Sequence, residues 1–262
     1  MNVSGARCLV IGGARRLGRE IALDLARHGA AVVISSRASG ADPSSTVVQL
    51  QTLGGQAGVV YGDVTLADSA AHLVEDATAA LHGLDAVVYA ASGPFAPASP
   101  EELDAADWDR SFDVIAKGFF LTARAAHHVF VASADRDATE TQATRGVIVA
   151  LTDPLADKPS AAFTAHAAAK AAQVSLVKSL AVAWADDGVR VCGIAPGPVD
   201  LAEDPRRAAA LRAAERAALK RLVKPAEVGQ AVRFCIENDY LNGVNVALDG
   251  GLPPVWAGVI ER

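Results

Sequence analysis

Residues 8–29, CLVIGGARRLGREIALDLARHG, decide how the rest of the chain is read. A short strand-forming run, CLVI, meets a turn carrying Gly12, Gly13 and Gly18, with Arg15, Arg16 and Leu17 between the glycines, and an amphipathic helical pattern starts inside that turn. Glycine is needed where a backbone turns tightly, where it must let a pyrophosphate approach, and where a helix packs hard against a strand. The first turn of the helix presents N–H groups to such an anion. A glycine-rich turn alone also fits a plain tight connection, so its place directly between a strand and a helix carries the weight.

The same alternation runs along the chain. CLVI, AVVIS, GVVY, AVVYA, GVIVAL, VRVCGI and VNVAL are seven strand candidates, separated by helical patterns over about 17–28, 44–54, 67–82, 101–131, 161–187 and 202–237. Strand, helix, strand in this rhythm builds parallel βαβ units, and strands whose interiors are almost free of charge fit a sheet covered on both sides. The predicted fold is therefore α/β, a Rossmann-like doubly wound sheet of seven mostly parallel strands with helices on both faces. No Pro/Gly/Ser linker divides the chain, and residues 132–146 read as a surface loop before a central strand, so one domain over 1–262 is expected.

Composition narrows the function classes. The chain of 262 residues is 51% hydrophobic, enough for a sizeable core, and a formal charge of -6 with a pI near 5.5 argues against nucleic acid or an anionic membrane as partner. Cys8, Cys192 and Cys235 have no CxxC or Cys/His spacing, so they read as small buried hydrophobes rather than disulfides or zinc ligands, and no metal is implied. His28, His72, His82, His127 and His128 likewise lack ligand spacing and read as surface residues. No apolar signal core or membrane-length stretch stands out, and a cytoplasmic protein acting on a small molecule is expected.

The end of the second strand speaks to the cofactor. A site selective for NAD would place a carboxylate there, against the adenosine ribose; this chain offers Ser36 and then Arg37. A guanidinium fork matches phosphate oxygens, so Arg37, with Arg15 and Arg16 of the turn, predicts a 2′-phosphate and hence NADP(H).

Further stretches extend the pattern: GDVT with Asp63, AAS at 90–92, DVIAKGFF at 113–120, IAPGPVD at 194–200 and NVALDGG at 245–251. With the glycine turn, their order and spacing resemble the short-chain dehydrogenase/reductase family over the whole length. The resemblance implies that Gly12, Arg15, Arg16, Leu17, Gly18, Ser36 and Arg37 lie along the dinucleotide. It also implies that Asp63 and Val64 bracket the adenine, that Ala90, Ala91 and Ser92 line the nicotinamide-side ribose, and that the segment Pro196, Gly197 to Val199 meets the carboxamide. The RRLG variant, with Arg16 where a glycine is usual, is similar to pteridine and dihydromonapterin reductases, which use NADPH.

The same resemblance makes the active site unusual. The family carries a Tyr, a Lys four residues later, a Ser thirteen residues before the Tyr, and an Asn on the preceding long helix. Here Lys170 stands at the lysine position, while His166, Asp153 and Ile115 stand at the other three. On a helix, His166 and Lys170 share a face. An imidazolium can donate a proton as the family phenol does. The expected roles are that Asp153 orients and charges His166, His166 protonates the substrate, and Lys170 holds the nicotinamide ribose hydroxyls. Isoleucine cannot hydrogen-bond, so proton resupply through the Asn position is lost. Two other readings stay open: a non-redox dehydratase, isomerase or cyclase using Asp153 and His166, and a catalytically silent scaffold of the same fold.

On the substrate side, Phe95, Leu155 and Phe163 surround Asp153 and His166 with an apolar wall suited to a ring or acyl group. Pro94 and Trp256 are expected near the same pocket. Residues 202–222 fall where the family places a mobile helical lid. They carry Arg206, Arg207, Arg212, Arg216, Lys220 and Arg221, followed by Lys224, and this local excess of positive charge would steer an anionic or carrier-linked substrate; a solvated helix face explains it equally well. The alanine-rich helices at 107–131 and 161–187 pair with symmetry mates in family members, so a homodimer or homotetramer is expected.

Overall fold

A computed structural model describes residues 1–40, 42–93, 95–133 and 144–253. Seven strands alternate with eight helices: β1 (Arg7–Ile11), α1 (Arg16–Arg27), β2 (Ala31–Ser36), α2 (Ser44–Thr52), β3 (Ala57–Tyr61), α3 (Ala67–Leu81), β4 (Ala86–Tyr89), α4 (Ala105–Phe112), α5 (Gly118–Ala132), β5 (Gly146–Leu151), α6 (Thr164–Ala183), β6 (Val189–Pro196), α7 (Arg207–Ala214), α8 (Pro225–Glu237) and β7 (Asn245–Leu248). The strands form one sheet in the order β3-β2-β1-β4-β5-β6-β7, and every pairing is parallel. The expectation of a mostly parallel sheet thus becomes a wholly parallel one, because each strand is reached by a crossover and none by a hairpin.

Period-two alternation divides the core into two layers. Cys8 and Val10 of β1, Ala86 and Val88 of β4, and Cys192 and Ile194 of β6 point to the face covered by α1 and α8. Leu9 and Ile11, Val87 and Tyr89, and Val189 and Val191 point to the face covered by α3, α5 and α6. With both faces buried, the strands need no polar side, which is why they read as mainly apolar runs, Arg190 of β6 being the buried charged exception. All three cysteines are buried in the core, and none is disulfide-bonded among the described residues.

Two long helical patterns break where the sequence alone suggested continuity. The stretch 101–131 divides into α4, a π-helical turn over Asp113–Lys117, and α5. The stretch 202–237 divides into α7 and α8, because Pro225 can start a helix but not continue one, and Glu227 caps that start by accepting from the Lys224 N–H at 2.8 Å. His127 also departs from the surface reading. It stacks on Trp184 with ring centroids 4.5 Å apart, and its Nε2 pairs with Asp187 at 2.8 Å.

The topology positions the site. From β1 the chain winds outward through β2 and β3, then returns to lay β4 on the other side of β1. At that reversal the loops leaving β1 and β4 diverge to opposite faces, opening a crevice at the carboxyl ends of the strands.

Candidate functional site

The crevice is lined on one side by the glycine turn. Gly12 has φ +76°, in the left-handed region, and a Cβ there would stand 3.0 Å from the Ala91 nitrogen of the loop after β4. At Gly18 a Cβ would stand 2.3 Å from the Gly12 carbonyl oxygen. The turn is tied to β2 by the Gly12 N–H, which donates to Ser35 Oγ at 3.1 Å, and to α2 by Thr46 Oγ1, which donates to the Ala14 carbonyl at 3.0 Å. Helix α1 has no side-chain cap and no acid in its first turn, so its amino end keeps N–H groups and positive potential for an anion. This cradle fits the pyrophosphate of a dinucleotide.

Arg15, Arg16 and Arg37 are exposed around it, Leu17 is half-buried, and Ser36 is buried at the end of β2. Arg16 has φ +54°, a conformation glycine adopts freely and an arginine adopts at a cost of roughly 1–2 kcal/mol. Its guanidinium lies 2.6 Å from Asp204, an acid almost wholly buried just before α7. Across the crevice, Asp63 accepts from the Thr65 N–H at 2.9 Å and from Thr65 Oγ1 at 2.8 Å. These bonds, with help from the Arg37 charge, hold its carboxyl below the usual carboxylate range. Val64 is buried beside it, Ala90 and Ala91 are half-buried, and Ser92 is exposed. Pro196, Gly197 and Val199 are half-buried at the end of β6, where the Gly197 N–H donates to the Leu248 carbonyl at 3.0 Å and the Val223 N–H to that of Pro198 at 2.9 Å.

Asp153 begins a one-turn 3₁₀ helix, Pro154–Ala156, and its Oδ1 accepts from the Leu155 N–H at 2.8 Å. That bond leaves Oδ2 facing His166 Nε2 at 3.2 Å. A ring nitrogen opposite a carboxylate carries the proton, so Nε2–H donates. The other ring nitrogen, Nδ1, is buried with no partner among the described residues. Phe95 meets the imidazole edge-on at 4.7 Å and stacks on Phe163 at 4.2 Å, while Arg206 lies over Phe95 at 5.4 Å and donates to its carbonyl at 3.2 Å. Leu155 is buried nearby in sequence, and Pro94 and Trp256 lie outside the described residues.

One turn along α6, Lys170 is 4% exposed and donates to the Leu151 carbonyl at 2.6 Å and to Gln173 Oε1 at 3.1 Å. Burial pulls its pKa down from 10.5 to about 8, with the Asp153 charge opposing the fall. The structure therefore brings Asp153, His166, Lys170, Phe95 and Phe163 to one place at the carboxyl edge of the sheet. Ile115 is fully buried on the π-helical turn that packs against α6.

Sequence reading missed three residues. Asp204 lies within the basic stretch without being singled out by it; an acid two residues before a pair of arginines is the available signal. Gln173 sits three residues past Lys170 on the buried face, a spacing that could have been noticed. Lys158, which donates to Asp249 and to the Leu252 carbonyl and so fastens the Asp153 loop to the segment after β7, carried no signal. Within the basic stretch, Arg206, Arg207 and Arg221 pair with Asp204, Asp200 and Glu227, whereas Arg212, Arg216 and Lys220 are exposed and form no ion pair among the described residues. No three acidic, histidine or cysteine side chains among the described residues are grouped to hold a metal, and no helix there is long and apolar enough to cross a membrane.

A wholly parallel doubly wound sheet, with a glycine cradle and a polar constellation at its switch point, defines a dinucleotide-binding oxidoreductase fold. A family profile described as Enoyl-(Acyl carrier protein) reductase matches residues 12–253, and the chain belongs to the short-chain dehydrogenase/reductase family. It is 34% identical over 253 residues to the cis-4-hydroxycyclohexanecarboxylate dehydrogenase of Sinomonas cyclohexanicum, covering 94% of this chain and 96% of that protein. Among solved structures, a short-chain dehydrogenase from Burkholderia cenocepacia in complex with NADP superposes with a TM-score of 0.82 at 28% identity, covering 96% of this chain and 99% of the other. A 7α-hydroxysteroid dehydrogenase complexed with NADH and 7-oxoglycochenodeoxycholic acid gives a TM-score of 0.82 at 25% identity, covering 96% of each chain. Structural relatives thus hold NADP in one case and NADH in another.

Proposed function

We propose that the protein is an NADPH-dependent reductase acting on a carbonyl, imine or conjugated double bond of a small anionic or carrier-linked substrate, with His166 as the proton donor. One observation carries the reading: a buried imidazole has one nitrogen engaged by Asp153 and the other without a partner among the described residues, one helical turn from a buried lysine. When bound, the reduced nicotinamide supplies the hydride. In the imidazolium form, Nδ1–H is the ring proton without an acceptor among the described residues, and it would pass to an oxyanion seated against that edge of the ring, while Nε2–H stays on Asp153. Lys170 has one N–H left after its two internal bonds, and that donor serves the ribose hydroxyls.

Arg37 and Arg15 favour NADPH through their charge and their place beside the cradle. The unpaired cations Arg212, Arg216 and Lys220 support an anionic substrate, as does a relative named for a carboxylate. Copies of the chain pair through α5 and α6, whose small side chains permit close approach; Val182, 81% exposed on α6, is an apolar residue that such pairing would cover.

The test is NADPH oxidation, followed by loss of absorbance, across dihydropterins, quinones and β-ketoacyl thioesters. His166→Phe is expected to reduce the turnover of any competent substrate by about 10²-fold or more. An unchanged rate removes the acid role. The second reading, a non-redox reaction, is favoured by the completeness of the Asp153–His166 pair as an acid–base couple. It would replace the first if the wild-type protein transforms a substrate without consuming NADPH.

A further inference from the structure

Helix α6 buries a line of three polar side chains in an otherwise apolar face: His166, Lys170 and Gln173, at 5%, 4% and 0% exposure. Steps of four and three residues place them one above another. The first two have roles in the proposed reaction; the third does not. A fully buried glutamine in a helix whose neighbouring buried positions are Ala169, Val174 and Val177 is costly unless its amide is hydrogen-bonded. Here only half of it is. Oε1 accepts from Lys170 Nζ at 3.1 Å, and Nε2 has no partner among the described residues. Turning the amide over would set an NH₂ group against an ammonium, donor against donor, so the oxygen must face the lysine.

We propose that Gln173 is the positioning residue for Lys170, its side-chain oxygen and the Leu151 carbonyl together fixing the ammonium so that its remaining N–H points into the crevice. The proposal rests on the reading that Lys170 serves the site. It explains why a polar residue whose amide nitrogen has no partner among the described residues stands where leucine or methionine would pack without penalty. The packed surroundings offer the ammonium little else. Ile115 on the π-helical turn has no polar atom to give. Of the charged groups on the elements packed against α6, Asp113 with Lys117 and Asp107 with Arg110 pair with each other in exposed positions, Asp109 is exposed on α4, and Lys158 is held by Asp249. Asp157 is exposed beyond the 3₁₀ turn, and Arg190 of β6 donates to carbonyls of Cys235, Ile236 and Leu241 on the opposite face of the sheet. That leaves Asp153, which acts on the ammonium through space, and His166, which is bonded to Asp153.

The experiment is titration of the lysine side chains by NMR in the full chain without dinucleotide. The chain has six lysines, and the Lys170 signal is assigned by its loss in Lys170→Met. In the wild type it is expected to titrate near pH 8. Gln173→Leu keeps the volume and removes the acceptor, and should lower that midpoint by about one pH unit or more, the scale of a lost charge-assisted hydrogen bond. Gln173→Glu supplies a charged acceptor and should raise it above the wild-type value. A folded Gln173→Leu protein whose Lys170 midpoint stays within a few tenths of the wild type overturns the proposal. If that variant does not fold, Gln173→Glu decides alone, and an unmoved midpoint there overturns it too. Because no cofactor or substrate takes part, this outcome is separate from the fate of the reductase reading, which fails if the wild type oxidises no NADPH while the titration still responds to residue 173.

Discussion

Lys170→Met, compared with the wild type across pH, tests the burial of the lysine directly. The folded protein holds this ammonium almost out of water, and its pKa falls from 10.5 to about 8. Between those two values the unfolded chain binds a proton that the folded chain does not, so stability rises with pH through that window, and the full cost of the buried charge is felt below it. The gap of about 2.5 pH units, at about 1.4 kcal/mol each, makes the full difference about 3 to 4 kcal/mol, of which about 3 falls between pH 7.5 and 10.5. Methionine fills similar space and does not titrate. The assay is urea denaturation of both proteins at intervals from pH 7.5 to 10.5. Other groups titrate in this range, among them Cys8, whose thiol is pushed by burial up to about 12, but they are common to both proteins and cancel in the difference. The expected result is that the wild type gains about 3 kcal/mol relative to Lys170→Met over the interval. Parallel profiles would mean that the lysine stays charged and hydrated in the fold, and the reasoning from burial would be refuted.

Three further outcomes follow from the crevice. Gly18→Ala sets a methyl group 2.3 Å from the Gly12 carbonyl, so the turn must open, and we expect dinucleotide affinity to fall by an order of magnitude or more by fluorescence titration while far-UV circular dichroism is preserved. Asp204→Ala frees Arg16 from its buried partner; the 203–206 segment should become more accessible to limited proteolysis, and equal cleavage in both proteins counts against the pairing. Arg37→Asp should shift the ratio of NADPH to NADH affinities toward NADH by about tenfold or more, and an unchanged ratio refutes the role given to the arginine.

The sheet was legible because its signals are local. Each strand is a short β-branched run, each crossover an amphipathic pattern, and the glycine turn combines a backbone need with its place in the chain, so the fold and the crevice follow from neighbouring residues. The pairing of Asp153 with His166 was half legible: a thirteen-residue separation says nothing by itself, and only the 3₁₀ turn at Pro154 swings Oδ2 toward the ring. Helix breaks were less visible, since the π-helical turn at Asp113–Lys117 keeps a helical pattern of side chains while changing the hydrogen-bond step. Least visible were partners distant in sequence. Arg16 meets Asp204 and Lys158 meets Asp249 across separations that no periodicity encodes, and the partly buried state of His127 depends on Trp184 arriving from another helix.

The placement of β4 against β1 has a consequence for how the molecule is assembled. Arg7 grips Asp85, 78 positions further along the chain, joining the start of the first strand to the approach of the fourth. If the dinucleotide lies as proposed, the adenine half of the crevice would come from the early strands and the nicotinamide half from the later ones, so a nascent chain would possess no complete ligand cleft until its second half has docked. Tight dinucleotide capture would then report that biosynthesis and docking have both been completed, and amino-terminal fragments ending before β4 should emerge without it.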